Sequence, residues 1–156
     1  MEIQQEIFEA RTYLVRRQTI PMQDIAKPKM WQAAFGKVRD YIVSGRLDVA
    51  GPGVAVYFSM DPEAGTTDFG IGHPVTGATN VSDPDLELAT VGESKALTIL
   101  VRGDYSQFGE AHNAMWEHCE QNDLKRNMPV IEEYLVMGGS VDSEDEMETK
   151  LYCLYE

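Results

Sequence analysis

Cysteine is scarce. Cys119 and Cys153 are the only two in a chain of 156 residues. A pair cannot build the disulfide framework of a small secreted fold, so reduced thiols and a cytoplasmic location are expected. No apolar run reaches the length of about 18 residues needed for a membrane span, and no charged-then-apolar leader opens the chain. Neither membrane insertion nor secretion is therefore predicted. Basic residues are also few: Lys and Arg total 13 against 26 Asp and Glu, for a net charge of −13. Phosphate backbones are bound by cationic side chains, so direct nucleic-acid binding is disfavoured. An acidic surface favours solubility and raises the local concentration of cations. Much of the acid sits in Asp142-Ser-Glu-Asp-Glu-Met-Glu148, which reads as a solvated loop.

Core-forming material is ample. Hydrophobic residues make up 43% of the chain, enough for one ordinary domain over residues 1–156. Apolar residues with helical spacing, Trp31, Ala34, Phe35, Val38, Tyr41 and Ile42, predict a helix from about Pro28 to a stop at Gly45. A second stripe, Phe108, Ala111, Met115 and Cys119, predicts a helix from about Ser106, its candidate N-cap, to Asn122. Trp116 lies beside that stripe.

The stripes superimpose at an offset of 77 residues: Trp31 falls on Phe108, Ala34 on Ala111, Val38 on Met115 and Ile42 on Cys119. The same offset carries Pro52 onto Pro129, Val54 onto Ile131, Tyr57 onto Tyr134 and Met60 onto Met137. Thr12–Arg16 resembles Thr98–Arg102 at a different offset, and Asp68–Val75 matches Glu148–Tyr155 more weakly. The chain thus reads as a duplication of a β-α-β-β module, with repeats at about 1–76 and 85–156. Thr76–Pro84, rich in Gly, Thr, Asn, Ser, Asp and Pro, reads as the linker. The expected fold class is α+β: antiparallel sheets with helices on one face, related by a pseudo-twofold axis.

Two glutamates interrupt an apolar strand, Met128-Pro-Val-Ile-Glu-Glu-Tyr-Leu-Val-Met137. Successive strand side chains point to opposite faces. One face carries Val130, Glu132, Tyr134 and Val136, and the other Ile131, Glu133, Leu135 and Met137. If either face is covered, one glutamate is desolvated and needs a partner, a proton or a cationic ligand. The second face is the more aliphatic and is expected to be the one under the helix. The first module has Ala55 and Val56 at these positions, so the acid is added to a symmetric frame.

Other chemistry is poorly supported. His112, His118 and Cys119 do not share one helix face, and no second cluster completes a tetrahedron, so no metal is expected. Gly51-Pro-Gly53 and Gly70-Ile-Gly72 lack the lysine and the strand-loop-helix setting of a phosphate loop. Ser106 has no His and Asp constellation in the sequence around it. No cofactor is predicted.

The chain resembles the GyrI-like small-molecule-binding domain, the effector domain of multidrug-responsive bacterial regulators, in its stand-alone form. The resemblance spans almost the whole chain. It rests on Gly51-Pro-Gly-Val-Ala-Val-Tyr57, Val101-Arg-Gly-Asp-Tyr-Ser-Gln-Phe108, Trp116, Pro129-Val-Ile-Glu-Glu-Tyr134 and a closing strand near Glu148–Tyr155. The chain departs from the family at Arg102-Gly103, where His often precedes the glycine, and in Leu151–Tyr155, which lacks the usual proline. No helix-turn-helix segment is visible. The resemblance implies a ligand cavity between the modules that binds bulky, often cationic, organic molecules. It carries the ligand-facing glutamate to Glu132, with Tyr134 on the same strand face, and aromatic lining to Tyr57, Trp116 and Tyr152.

Three functions follow as expectations. The first is binding of an amphipathic aromatic or cationic small molecule, with Glu132 as counter-charge. The second is a hydrolase that opens strained cyclopropane rings of DNA-alkylating natural products, with Glu132 as catalytic acid or base. The third is a protein interaction like that of a DNA gyrase inhibitor. Homo-oligomerisation and a separate regulator partner stay open.

Overall fold

The computed structural model describes residues 1–77, 80–137 and 142–156. In chain order the elements are β1 (Gln4–Phe8), β2 (Arg11–Pro21), α1 (Pro28–Gly45), β3 (Asp48–Val49), β4 (Gly53–Asp61), β5 (Thr66–Thr76), β6 (Glu87–Val91), β7 (Ser94–Arg102), α2 (Phe108–Gln121), β8 (Arg126–Val136) and β9 (Glu148–Tyr155). Contacts divide the chain into two compact units, Ala10–Gly92 around α1, and Met1–Glu9 with Glu93–Glu156 around α2. Each is an antiparallel sheet with one long helix, so the fold is α+β.

The two units share one topology. In the α1 unit the strand order is β4-β5-β2-β6, with the short β3 pairing β5; in the α2 unit it is β8-β9-β7-β1. Each contains β-α-β-β in sequence, and each gains an outer strand from elsewhere in the chain. Gln4 pairs opposite Thr98 and Phe8 opposite Ser94, while Arg11 pairs opposite Val91 and Val15 opposite Glu87. These outer strands cover edges that would otherwise present unpaired N–H and C=O groups. Repeat bounds of 1–76 and 85–156 count β1 with the α1 half and β6 with the α2 half, the reverse of the contacts. Hydrophobic pattern within a strand does not encode which edge it will join. Of the linker expected over Thr76–Pro84, Ala78 and Thr79 lie outside the described residues.

Helix ends follow local chemistry. α1 starts with Pro28 at its first turn, where a missing N–H costs nothing. It runs through Gly45 and ends at Arg46, whose φ of 55° is left-handed and whose N–H reaches the carbonyls of Ile42 and Val43. The helix thus ends at the glycine the sequence suggests, with Arg46 as the flanking cap residue. The N-cap expected at Ser106 moves. The Asp104 carboxylate accepts from the Ser106 N–H at 3.1 Å, capping a 3-10 turn, Tyr105–Gln107, that leads into α2. Asp104, not Ser106, is the capping side chain of this turn, and α2 itself follows from Gln107 with no side-chain cap.

Packing is compact in each unit. Ala111, Met115 and Cys119 of α2 bury against Leu97, Ile99 and Val101 of β7 and Leu151, Cys153 and Tyr155 of β9. Val38 and Ile42 of α1 join Leu14, Val75 and Leu86. No helix among the described residues is long and apolar enough to cross a membrane. Pro129 does not begin its strand. β8 starts at Arg126, and its pairing with β9 is interrupted between Asn127 and Ile131. Proline has no N–H to give the ladder, so the irregularity falls around it.

Two glycines report on how tightly strands and helices meet. A Cβ on Gly72 would stand 1.8 Å from the Leu14 carbonyl oxygen, whereas one on Gly36 meets nothing within 4 Å. Gly72→Ala is expected to destabilise by about 3 kcal/mol through overpacking. Gly36→Ala, in mid-helix, is expected to stabilise by about 0.5–1 kcal/mol. Urea unfolding of the two variants checks both signs.

Candidate functional site

Parity along β8 decides where each glutamate points. Glu132 lies opposite Leu151 and Tyr134 opposite Thr149, whereas Glu133 lies opposite Lys150 and Ile131 opposite Tyr152. Leu151 belongs to the core under α2, so Glu132 and Tyr134 share the helix-covered face. The aliphatic count of the other set pointed the wrong way. Leu135 is 41% exposed and Glu133 half-buried, while Glu132 is 5% exposed. The covered face tolerates a carboxylate because neighbouring side chains supply donors. Glu133 instead stands across from a cation, a favourable cross-strand pair.

Those donors come from β8 and α2. The Tyr134 hydroxyl donates to Glu132 Oε1 at 2.7 Å, and His112 Nε2 donates to Oε2 at 3.0 Å. Hydrogen bonds of this kind are what make a desolvated carboxylate tolerable. His112 Nδ1 and the Thr149 hydroxyl oxygen are buried and have no hydrogen-bond partner among the described residues. Thr149 stands opposite Tyr134, so this polar capacity lies on the same face as the carboxylate.

Aromatic rings surround the group. Tyr105 sits edge-on to Tyr134 at 6.0 Å and against Phe108 at 5.2 Å. Trp116, one helical turn from His112, lies 6.2 Å from its ring and carries the Arg126 guanidinium 4.7 Å above its own. Of the residues the sequence nominates, the α2 unit thus brings Glu132, Tyr134 and Trp116 into one neighbourhood. Tyr152 points to the opposite face of that sheet, edge-on to Phe8 at 5.4 Å and 5.1 Å from Lys150 Nζ. Tyr57 belongs to the α1 unit, where it stacks on Phe69 at 5.4 Å, with Trp31 at 5.9 Å from the same Phe69.

His112 is the site residue that sequence reasoning missed, having been weighed only as a metal ligand. The 77-residue offset places His112 on Phe35 just as it places Glu132 on Ala55. Two apolar residues of one repeat become a bonded polar pair in the other, and that double change was the available signal. Among the described residues, no group of His, Cys, Asp and Glu could hold a metal ion. The two thiols are a separate feature. Cys119 and Cys153 Sγ stand 3.9 Å apart, both buried. Burial, and then the neighbouring Cys119, push the Cys153 thiol up to about 12.

The α2 unit thus holds a buried carboxylate with imidazole, phenol and indole rings around it. The chain belongs to the GyrI-like family: the model of the GyrI-like small molecule binding domain matches residues 1–155. No curated protein matches the chain in sequence. Among solved structures it is similar to EcmrR in a complex with DNA, at TM-score 0.81 and 12% identity over 99% of this chain; it spans 57% of that chain's length. It is also similar to SAV2435 bound to tetraphenylphosphonium, at TM-score 0.69 and 13% identity over 100% of this chain and 94% of that one. A hydrolase from Listeria innocua matches at TM-score 0.64 and 12% identity, over 99% and 92%. At these identities the likenesses speak to the fold.

A thiol must lose its proton to attack an electrophile. Burial and the neighbouring Cys119 raise the Cys153 value, which disfavours its thiolate near neutral pH. Iodoacetamide at pH 8 is expected to label the folded protein at least about tenfold more slowly than the urea-unfolded chain, as followed by intact mass.

Proposed function

We propose that this small-molecule-binding domain takes bulky amphipathic aromatic cations, with Glu132 as the counter-charge. The observation that carries the reading is a carboxylate 5% exposed, on a strand whose duplicate carries Ala55 at the same position. A fold that packs with alanine there does not need the acid for its own sake. The rings of Tyr134, Tyr105 and Trp116 suit a delocalised organic cation, which is attracted by both the aromatic faces and the carboxylate. The net charge of −13 favours cation approach. The tetraphenylphosphonium on SAV2435 is a ligand of this chemistry. The family resemblance also carries Tyr57 and Tyr152 to the ligand, and alanine variants of each can be read in the same titration.

Tetraphenylphosphonium quenching of tryptophan fluorescence tests the reading. Glu132→Gln is expected to weaken binding by at least about tenfold, or ~1.4 kcal/mol. Glu133→Gln is expected to stay within about twofold of the wild type, since its carboxylate faces the other side of the sheet. Unchanged affinity in Glu132→Gln removes that residue from the role.

A second reading has one observation behind it. The His112–Glu132 hydrogen bond at 3.0 Å is a carboxylate–imidazole pair able to give or take a proton. That is the equipment for acid–base hydrolysis of a strained cyclopropane in a DNA-alkylating natural product. Incubation with such a compound, followed by mass spectrometry, should then yield the water-added product with wild type and not with Glu132→Gln. Absence of product across several such compounds sinks the hydrolase.

A further inference from the structure

The Glu132 carboxylate already holds a group that can carry positive charge, and this has consequences for any cation that comes to it. We propose that His112 is a built-in counter-ion that yields its charge to a ligand: a cationic ligand takes over the positive charge beside Glu132 and drives one proton from the imidazolium into solvent, the imidazole staying in place. The proposal rests on the cation reading above and deepens it, making His112 a specificity-determining residue.

Geometry supports the exchange in three ways. His112 Nε2 meets Glu132 Oε2 at 3.0 Å, and the His112 side chain is only 14% exposed. Two cations beside one desolvated carboxylate repel each other, so an arriving cation favours the uncharged imidazole. The proton has a definite place to leave from. Nδ1 is buried with no hydrogen-bond partner among the described residues, so nothing accepts an N–H there. Loss of that proton leaves the Nε2–H still facing the carboxylate. The step balances: one organic cation is bound, one proton goes to buffer, and the charge of the site is unchanged.

Both members of the pair differ from the other repeat. His112 corresponds to Phe35 and Glu132 to Ala55, both buried parts of the α1 unit. A lone glutamate in that frame would be a desolvated charge, and the histidine neutralises it until a ligand does.

Titratable groups come to His112 from several elements. β8 contributes Glu132 and the Tyr134 hydroxyl bonded to it, and the turn before α2 contributes Tyr105 against Tyr134. Arg126 lies over Trp116 on the helix face of His112. β7 and β9 meet α2 with Leu97, Ile99, Val101 and Leu151, and the Cys119 and Cys153 thiols lie further along the helix.

Calorimetric titration with tetraphenylphosphonium tests this, because that cation has no proton to lose. Buffers of different ionisation enthalpy count the protons released. Wild type is expected to release protons on binding the cation at acid pH and fewer as the pH rises. Its affinity should rise about tenfold per pH unit where release is complete. His112→Gln is expected to bind with no proton release and less than about twofold change over the same range. If His112→Gln loses its far-ultraviolet circular dichroism, His112→Phe, the residue of the other repeat, replaces it; the wild-type proton count decides in either case. Binding with no proton release overturns the exchange and leaves the cation reading standing, as does equal release by wild type and variant. No binding at any pH overturns the cation reading and the exchange with it.

Discussion

Glu132 can be buried because Tyr134 and His112 bond its two oxygens from the same strand and from the facing helix. Much of the α2 unit is arranged around that constraint. β8 must present residue 132 to the covered face, which its pairing with β9 enforces by placing Glu132 opposite Leu151. α2 must be set so that its fifth residue faces the strand, which the burial of Ala111, Met115 and Cys119 enforces. A shift of one residue in either element would send a carboxylate or an imidazole to the wrong side.

The duplication explains why so demanding an arrangement is compatible with folding. In the α1 unit the same topology is built with Phe35 and Ala55 at the equivalent positions, and both are buried. The frame is apolar and self-sufficient. The polar pair is added where one copy departs from the other, in residues whose cost is borne by the rest of the core.

Much of this was legible beforehand. The helical stripes, the strand pattern and the repeat offset all depend on local periodicity, and α1 occupies Pro28–Gly45 as the spacing predicts. Where the reading erred, in the turn before α2, the cause was competition between neighbouring groups, Asp104 against Ser106. The face of β8 was misjudged for a related reason. Counting aliphatic side chains puts Leu135 and Glu133 under the helix, yet Leu135 is 41% exposed and it is Glu132 that two donors meet there.

The sequence by itself determined the α+β class, the repeated β-α-β-β order and the presence of an acid where its duplicate has none, because each is a matter of residue type at fixed spacing. Only the tertiary structure decided which outer strand joins which sheet, which of two adjacent glutamates is buried, and that His112 is its partner. Those depend on contacts between residues 20 or more apart, such as His112 with Glu132 and Gln4 with Thr98. Local periodicity carries no information about who stands opposite whom.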